Sequence, residues 1–515
     1  MKKYLFKTRM LLFFAVCGIA LVSASCANED VAQSETNTEQ NSDKNLTTFV
    51  AGGEAKTRTS LNYDSGNFYW ETGDYIYVKD DDGVMQKSSN APTSKVASFK
   101  YKVPGKFIAS TSYKVYYLGK NSSGNQVAIL ANQSQTAPNN TEHFGVSGDY
   151  GTATATKVAG AQRFSFELDH QPAYLVFQPY VSNTVLKSTY LTKVEVSSDN
   201  DIVETYTFNS STDSFTGSAG SKQIILNTKG SGTYANGFPL TNSSASVTTN
   251  GAYVIIKPGS HTLKVRFWIK DVVTNVEGII TKLYPSASYA SNTYYDMTAN
   301  LRVRNYDGDN YYMWDAQQQY WKDYEWNSAN PLQPVLIGTS NSNYAQNNTD
   351  SRYYHEGGGS GRFDATQTCA ALPNVNEMTW YAAKGDPRWD GDRLWATMGH
   401  LYKGGIWFKK KTSIVGYNAD TAVDGTDWRT NGNGKGWTVS NTLPSATEIG
   451  NYFYLPALGY YESGRLYGLG RSGYYWSSSA SPWYNKNSYG LHFSSGSIGV
   501  YNTDRHCGFR IGGFK

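Results

Sequence analysis

The sequence predicts a mainly β protein of about three domains, two antiparallel β-sandwiches followed by a third unit that mixes strands with short helices. Three observations carry that prediction. From Leu46 to about Arg304 the chain runs in short alternating segments broken by Gly, Asn, Ser and Asp, among them Tyr113–Leu118, Tyr174–Phe177, Val194–Val196, Tyr253–Ile256 and Leu263–Ile269. Alternation buries one face of a strand, and regular turn signals favour antiparallel packing. The chain has 515 residues, enough for several domains of roughly 150 residues each. Composition then changes after about residue 305, beyond which lie eleven of the 13 tryptophans.

Taken from the start, Met1–Arg9 is basic and Met10–Val22 is apolar. Its thirteen residues would span about 20 Å as a helix, short of the ~30 Å hydrocarbon layer, so the segment reads as a signal peptide over 1–25. Ser23-Ala24-Ser25-Cys26 resembles the bacterial lipobox, in which the cysteine is acylated, although Ser23 stands where that motif has Leu. Cutting beside Ser25 by ordinary signal peptidase is the alternative. Asn28-Glu29-Asp30 resembles the acidic tag that exports Bacteroidetes lipoproteins to the outer surface. Residues 26–45 are polar and lack aromatics, which predicts a disordered tether.

The export segment also accounts for the charge. Lys+Arg number 46 and Asp+Glu 42, and the surplus is Lys2, Lys3, Lys7 and Arg9. The remaining chain is neutral and has no basic run, which argues against a nucleic-acid partner. Aromatics reach 15%, with Tyr 41, Phe 21 and Trp 13, a bias that suits surfaces gripping a ligand.

Within 46–162 and 163–303, the two expected sandwiches, several motifs stand in order. Arg58-Thr59-Ser60-Leu61 and Phe68-Tyr69-Trp70-Glu71-Thr72-Gly73-Asp74 resemble the opening of Bacteroidetes fimbrillin-like proteins. Phe166-x-Leu-x-His170 with Ala173-Tyr174-Leu175 resembles their mid-chain signature. The likeness covers roughly 46–303 and implies two tandem transthyretin-like β-sandwiches; on the residues alone, Trp70 reads as a core residue and Gly73-Asp74 as a turn. It further implies assembly with other fimbrial subunits by donor-strand exchange after a trypsin-like protease removes an early strand. Leu46–Val50 is that strand and Arg58 the best-placed scissile residue; an ordinary surface arginine is the competing reading.

In 306–515, Asn374–Lys384 reads as a helix capped near Asn374 or Asn376 and stopped at Gly385-Asp386-Pro387. Pro444–Glu448 suggests another short helix, and Tyr474–Ser478 and Tyr489–Phe493 read as strands. Leu372-Pro-Asn-x-Asn376-Glu377, Gly405-Ile-Trp407, Tyr475-Trp-Ser-Ser-Ser479 and Arg505-x-x-Gly508-Phe-Arg510 are similar to the fibrobacter-type major paralogous domain. That resemblance implies an α+β C-type-lectin-like domain and a disulfide between Cys369 and Cys507. It also implies that Cys507–Lys515 is built into the domain and is not free to serve as a donor strand.

Catalytic and cofactor motifs are not found. The seven histidines form no H-E-x-x-H pair, Gly470-Arg-Ser472-Gly lacks nucleophile-elbow spacing, and the Gly-rich Glu356–Arg362 lacks a phosphate-loop ending and reads as a flexible loop. Two lone cysteines offer neither a zinc site nor a reactive pair. The runs Asp307/Asp309/Asp315 and Asp386/Asp390/Asp392 lack EF-hand spacing and read as turns, so neither metal nor cofactor is expected. Trp389, Trp395, Trp428, Trp437 and Trp483, in polar Gly-rich surroundings, are the candidate ligand-binding residues, with core packing as the alternative for each; Trp407 and Trp476 read as core. The functional expectation is a non-enzymatic fimbrial tip adhesin with a glycan or protein ligand, reaching the outer membrane as a lipid-anchored precursor. The alternative is a glycan-binding lipoprotein that stays on the membrane outside any pilus.

Overall fold

The computed structural model describes residues 2–4, 45–52, 60–123, 125–218 and 220–515. Cys26, Arg58, residues 26–44 of the expected tether and all but three residues of the export segment lie outside the described residues. Lys2–Tyr4 runs antiparallel along Thr293–Tyr295.

The first unit is organised by one large sheet. Leu46–Ala51 lies inside it, parallel to Arg163–Phe166 on one side and antiparallel to Phe99–Pro104 on the other. Ser112–Tyr117 and Gly151–Lys157 continue the sheet beyond Arg163–Phe166. The alternating pattern of Leu46–Ala51 turns Phe49 inward, where its ring stacks on Phe164 at 5.0 Å and meets Phe107 edge-on at 5.1 Å. Trp70 is fully buried against Tyr101, Tyr117 and Phe166. The Gly73-Asp74 turn has a positive φ of 80° at the glycine and closes with the Asp74 carboxylate accepting from the Glu71 amide at 2.7 Å.

The second unit is a sandwich. One sheet holds Ala173–Tyr180 between Thr293–Asn300 and Ala252–Ile256; the other runs Asn132–Ser134, Gln223–Asn227, Thr189–Ser198, Gly259–Asp271, Val276–Tyr289. Both faces feed a single apolar core that includes Leu175, Phe177, Val254, Val194, Val265 and Phe267.

The border between these units differs from the expected cut at 162/163. Arg163–Phe166 and Asp169–His170 complete the first sheet, and Phe164, Phe166 and Leu168 fill its core. Conversely, Gln126–Ala128 pairs with Thr205–Asn209, Asn132–Ser134 pairs with Gln223–Asn227, and Ile129 and Phe144 enter the second core. Alternation shows which side chains of a strand face inward, but not which sheet the strand joins. At the crossing, Asp149 accepts from Tyr174 Oη at 2.6 Å and pairs with His170 Nδ1 at 3.0 Å, all three buried. The mid-chain signature is thus a buried polar network joining the two units.

In the third unit, Asn374 caps the helix Val375–Lys384 in a reciprocal capping box with Glu377, which satisfies two otherwise orphan amides. The helix buries Val375, Met378, Tyr381 and Ala382 in the core that also holds Tyr489, Leu491, Ile498 and Val500. Asn376, fully buried, accepts from Trp428 N at 2.9 Å and donates to Asp427 at 2.8 Å, so it anchors the 420–428 loop. The second expected helix is not formed. Pro444–Glu448 is a turn leading into the short 3₁₀ segment Ile449–Asn451, because Ser445 and Glu448 bond each other locally.

No free linker precedes this unit. Arg304–Asn305 pairs in parallel with Trp395 and Ala396, and Ala396 and Leu401 belong to the core of the second sandwich. The chain's final residues are folded in as expected. Phe509–Arg510 adds to a sheet, the Phe514 ring lies 5.4 Å from Tyr381, and the Lys515 carbonyl accepts from Lys411 N at 2.9 Å.

Candidate functional site

Strands Ser472–Ala480 and Asn487–Ser494 form a hairpin whose loop carries Pro482, Trp483 and Tyr484. The loop is closed by Ser481 N to Asn487 O at 3.0 Å and Asn487 N to Tyr484 O at 3.1 Å. Both aromatic side chains project outward, Trp483 55% and Tyr484 57% exposed. One face of the Trp483 indole rests on Gly432, where a Cβ would come within 2.8 Å of the ring, so glycine is required there. Opposite lies the Gly-rich loop, whose Gly361 amide donates to Pro482 O at 3.0 Å. Between them is an open concavity of about 540 Å³ floored by Gly358–Ser360 and walled by Trp483, Tyr484 and Lys486. Large amphipathic rings of low rotational entropy on such a rim suit stacking on a sugar or a partner protein.

The Gly-rich loop is irregular but tied down, which differs from the flexible loop its composition predicts. Arg505, fully buried, donates through Nη1 to the carbonyls of His355 at 3.0 Å and Gly357 at 2.9 Å. Its Nε donates to Asn487 O at 3.2 Å and Ser488 Oγ at 2.9 Å. One guanidinium therefore fastens the Gly-rich loop to the base of the aromatic hairpin, with its Cζ 4.4 Å from the Trp314 ring centroid. Burial pushes the Arg505 pKa down to about 10. Asp315, also buried, accepts from the amides of Thr366, Gln367 and Cys369 at 2.8–3.0 Å and pairs with His355 Nδ1 at 2.8 Å.

Of the five tryptophans proposed as ligand-binding, only Trp483 stands exposed. Trp395 and Trp428 are corrected to core residues, both fully buried. Each indole N–H finds an internal acceptor, Trp395 in Gly404 O at 2.9 Å and Trp428 in Asp424 at 3.0 Å. A satisfied N–H removes the penalty for burying the ring, and polar neighbours in sequence gave no sign of that. Trp389 and Trp437 are half-buried at the margin of the C-terminal core. Tyr484 was not singled out individually; its signal was the adjacent aromatic pair in a Ser-Pro turn between strands. Trp407 and Trp476 are buried as expected.

Cys369 and Cys507 come together in one apolar cluster with Trp314, Trp476 and Phe509, as free thiols and not the implied bridge. Burial raises both thiol pKa values, which makes them poor nucleophiles. The acidic runs are dispersed into structural duties: Asp386 bonds Arg388 and Tyr452, Asp390 accepts from Trp407 Nε1, and Asp315 acts as above. Among the described residues, Glu462, His506 and Cys507 bring ligand atoms within 4.8 Å of one another.

No protein-family model and no curated protein matches the chain. Solved structures overlap it weakly. A Bacteroides ovatus protein described as a candidate cell adhesion protein is 12% identical, over 50% of this chain and 93% of its own, at a TM-score of 0.32. The fimbrial anchor protein Mfa2 from Porphyromonas gingivalis is 12% identical over 46% and 82%, TM-score 0.21. A fimbrial protein from Bacteroides ovatus is 12% identical over 90% and 99%, TM-score 0.25. Scores this low do not define a shared fold.

Proposed function

We propose that this chain is a non-enzymatic bacterial surface adhesin of the fimbrillin-like kind, placed at the tip of a fimbria, in which the β-sandwich units assemble and the C-terminal domain recognises. The observation that carries the recognition half is the exposed Trp483–Tyr484 pair on a rim held by Arg505. Replacing both by alanine is expected to weaken binding of the chain to its target cells at least tenfold, since each such aromatic is worth about 1–2 kcal/mol at a contact surface. Melting should be unchanged because both side chains are exposed. Full binding by the double variant would sink the assignment.

The assembly half is supported by the place of Leu46–Ala51 between two partners in the first sheet. Its removal would open a strand-wide gap between Arg163–Phe166 and Phe99–Pro104, lined where the Phe49 ring had stacked. A donor strand from a neighbouring subunit would restore main-chain hydrogen bonds there. Cys507–Lys515 is packed into the C-terminal domain and not available to donate in return, which suits the end of a fibre. Cleavage after Arg58 is expected to leave a mature N-terminus at Thr59, and Arg58→Gln should abolish both that cleavage and incorporation into fibres. An N-terminus at a lipidated Cys26 in surface-extracted protein would favour the membrane-anchored, glycan-binding reading instead.

A further inference from the structure

A second concavity, of about 370 Å³, lies away from the aromatic hairpin. Its wall is the strand Tyr452–Pro456, and it is flanked by Arg304, Arg393 and the 510–515 segment. Its lining includes Arg304, Arg393, Lys410, Arg510 and Lys515, whose terminal carboxylate offsets its ammonium, and no Asp or Glu side chain. Among the described residues, no carboxylate stands within ion-pair distance of Arg304, Arg393 or Arg510.

Aromatic faces and carbonyls position these cations instead. The Arg393 Cζ lies 4.5 Å from the Trp407 ring centroid and 4.7 Å from that of Tyr454. Arg304 lies 5.2 Å from Tyr306, and Arg510 lies 5.0 Å from Tyr311 with Nη1 donating to Asp307 O at 2.7 Å. Two carboxylates flank the cleft without forming an ion pair with its arginines: Asp390 accepts from the Arg393 amide at 3.0 Å and from Trp407 Nε1, and Asp386 bonds Arg388 and Tyr452. Arg510 is only 6% exposed. Burying a guanidinium without an anion is costly, and a ring face offsets only part of that cost. An anion entering the cleft would recover it, and a planar guanidinium fork fits a carboxylate or a sulfate bidentately.

Size and surroundings narrow the ligand. The cavity sits near the low end of small-molecule sites, roughly 300–1,000 Å³, which suits one ring and not an extended polyanion. Its walls are aromatic, and the chain beyond its export segment is neutral, so the positive field is local. We propose that this cleft binds the acidic residue of a glycan, a sugar carrying a carboxylate or a sulfate, with Arg304 and Arg393 at its mouth and Arg510 in its floor. The proposal takes from the adhesin reading only that the C-terminal domain recognises a ligand.

The test uses the full chain and titration calorimetry with glucuronic acid, N-acetylneuraminic acid and galactose 6-sulfate, against galactose. Binding of at least one acidic sugar but not of galactose is expected, weakened by added salt. The three probes separate carboxylate from sulfate. Arg304→Gln and Arg393→Gln, both at exposed positions, should each reduce that affinity at least fivefold without changing the melting temperature. Failure of every acidic sugar to bind, equal binding of galactose, or wild-type affinity in both arginine variants would overturn the proposal. Such a failure alongside cell binding that still depends on Trp483 and Tyr484 would leave the adhesin reading intact.

Discussion

Arg505→Met is expected to destabilise the C-terminal domain by roughly 3–5 kcal/mol, because several buried acceptors lose a charged donor at once, at about 1–3 kcal/mol each. Methionine fills much of the same space but donates nothing. The carbonyls of His355 and Gly357 and the hydroxyl of Ser488 would lose this donor together, while Asn487 O keeps only its bond from Ser481 N. An unsatisfied buried acceptor costs about 1–3 kcal/mol, so even partial rescue by water leaves a large deficit. For a unit of some 200 residues, the melting temperature should fall by roughly 10 °C. Hydrogen exchange should accelerate first at residues 355–363 and 481–488, the two loops the guanidinium joins. Arg505→Lys keeps the charge but not the fork, and should fall between the two. A wild-type melt for the methionine variant would mean that the aromatic rim is held by something else.

Loss of the Asp271 carboxylate should have the next largest effect, at the join between the second sandwich and the C-terminal domain. Asp271 is fully buried at the end of Gly259–Asp271. It pairs with His400 Nδ1 at 3.0 Å and accepts from the amides of Leu401 at 3.0 Å and Val273 at 2.9 Å. Close by, Thr274 donates to Leu401 O at 2.9 Å and Lys187 N to Gly399 O at 3.0 Å. Asp271→Ala strands the Leu401 amide and is expected to cost about 3 kcal/mol at neutral pH.

The same group sets a pH dependence. Burial pushes the Asp271 carboxyl up, but the hydrogen bonds from His400, Leu401, Val273 and Thr274 outweigh it and hold its pKa below the ordinary carboxylate value. A carboxylate with a depressed folded pKa contributes stability above the unfolded value of about 3.9, and that contribution is lost as pH falls through the folded value. Wild type and Asp271→Ala should therefore differ in denaturant midpoint at pH 7 and converge as the pH drops below about 4. A difference that persists undiminished in acid would assign the effect to lost packing.

The local features were legible in the sequence because their causes are local. Alternation placed strands at Tyr174–Phe177, Tyr253–Ile256 and Leu263–Ile269, all realised. The helix and an asparagine cap at Asn374 or Asn376 were legible, and the structure selects Asn374, whose capping box with Glu377 closes within one turn. Trp407 and Trp476 sat inside strand-like runs and are core, as is Trp70 ahead of its turn. The concentration of tryptophan beyond residue 305 marked the C-terminal unit as different in kind.

What only the tertiary structure decided is which of those residues meet one another. Trp395 and Trp483 look alike in sequence, each an indole among polar and glycine neighbours. One is sealed because Gly404 offers its N–H a carbonyl, and the other is left in solvent by a hairpin turn. Arg304, Arg393 and Arg510 lie far apart in a chain with no basic run, yet they line one cleft. Arg163–Phe166 looked like the opening of a second domain and proved to be a strand of the first. Periodicity and capping act over a few residues and so are written in the order of amino acids. Burial, strand partner and local field are set by long-range packing, and they separated the exposed aromatic rim from the core.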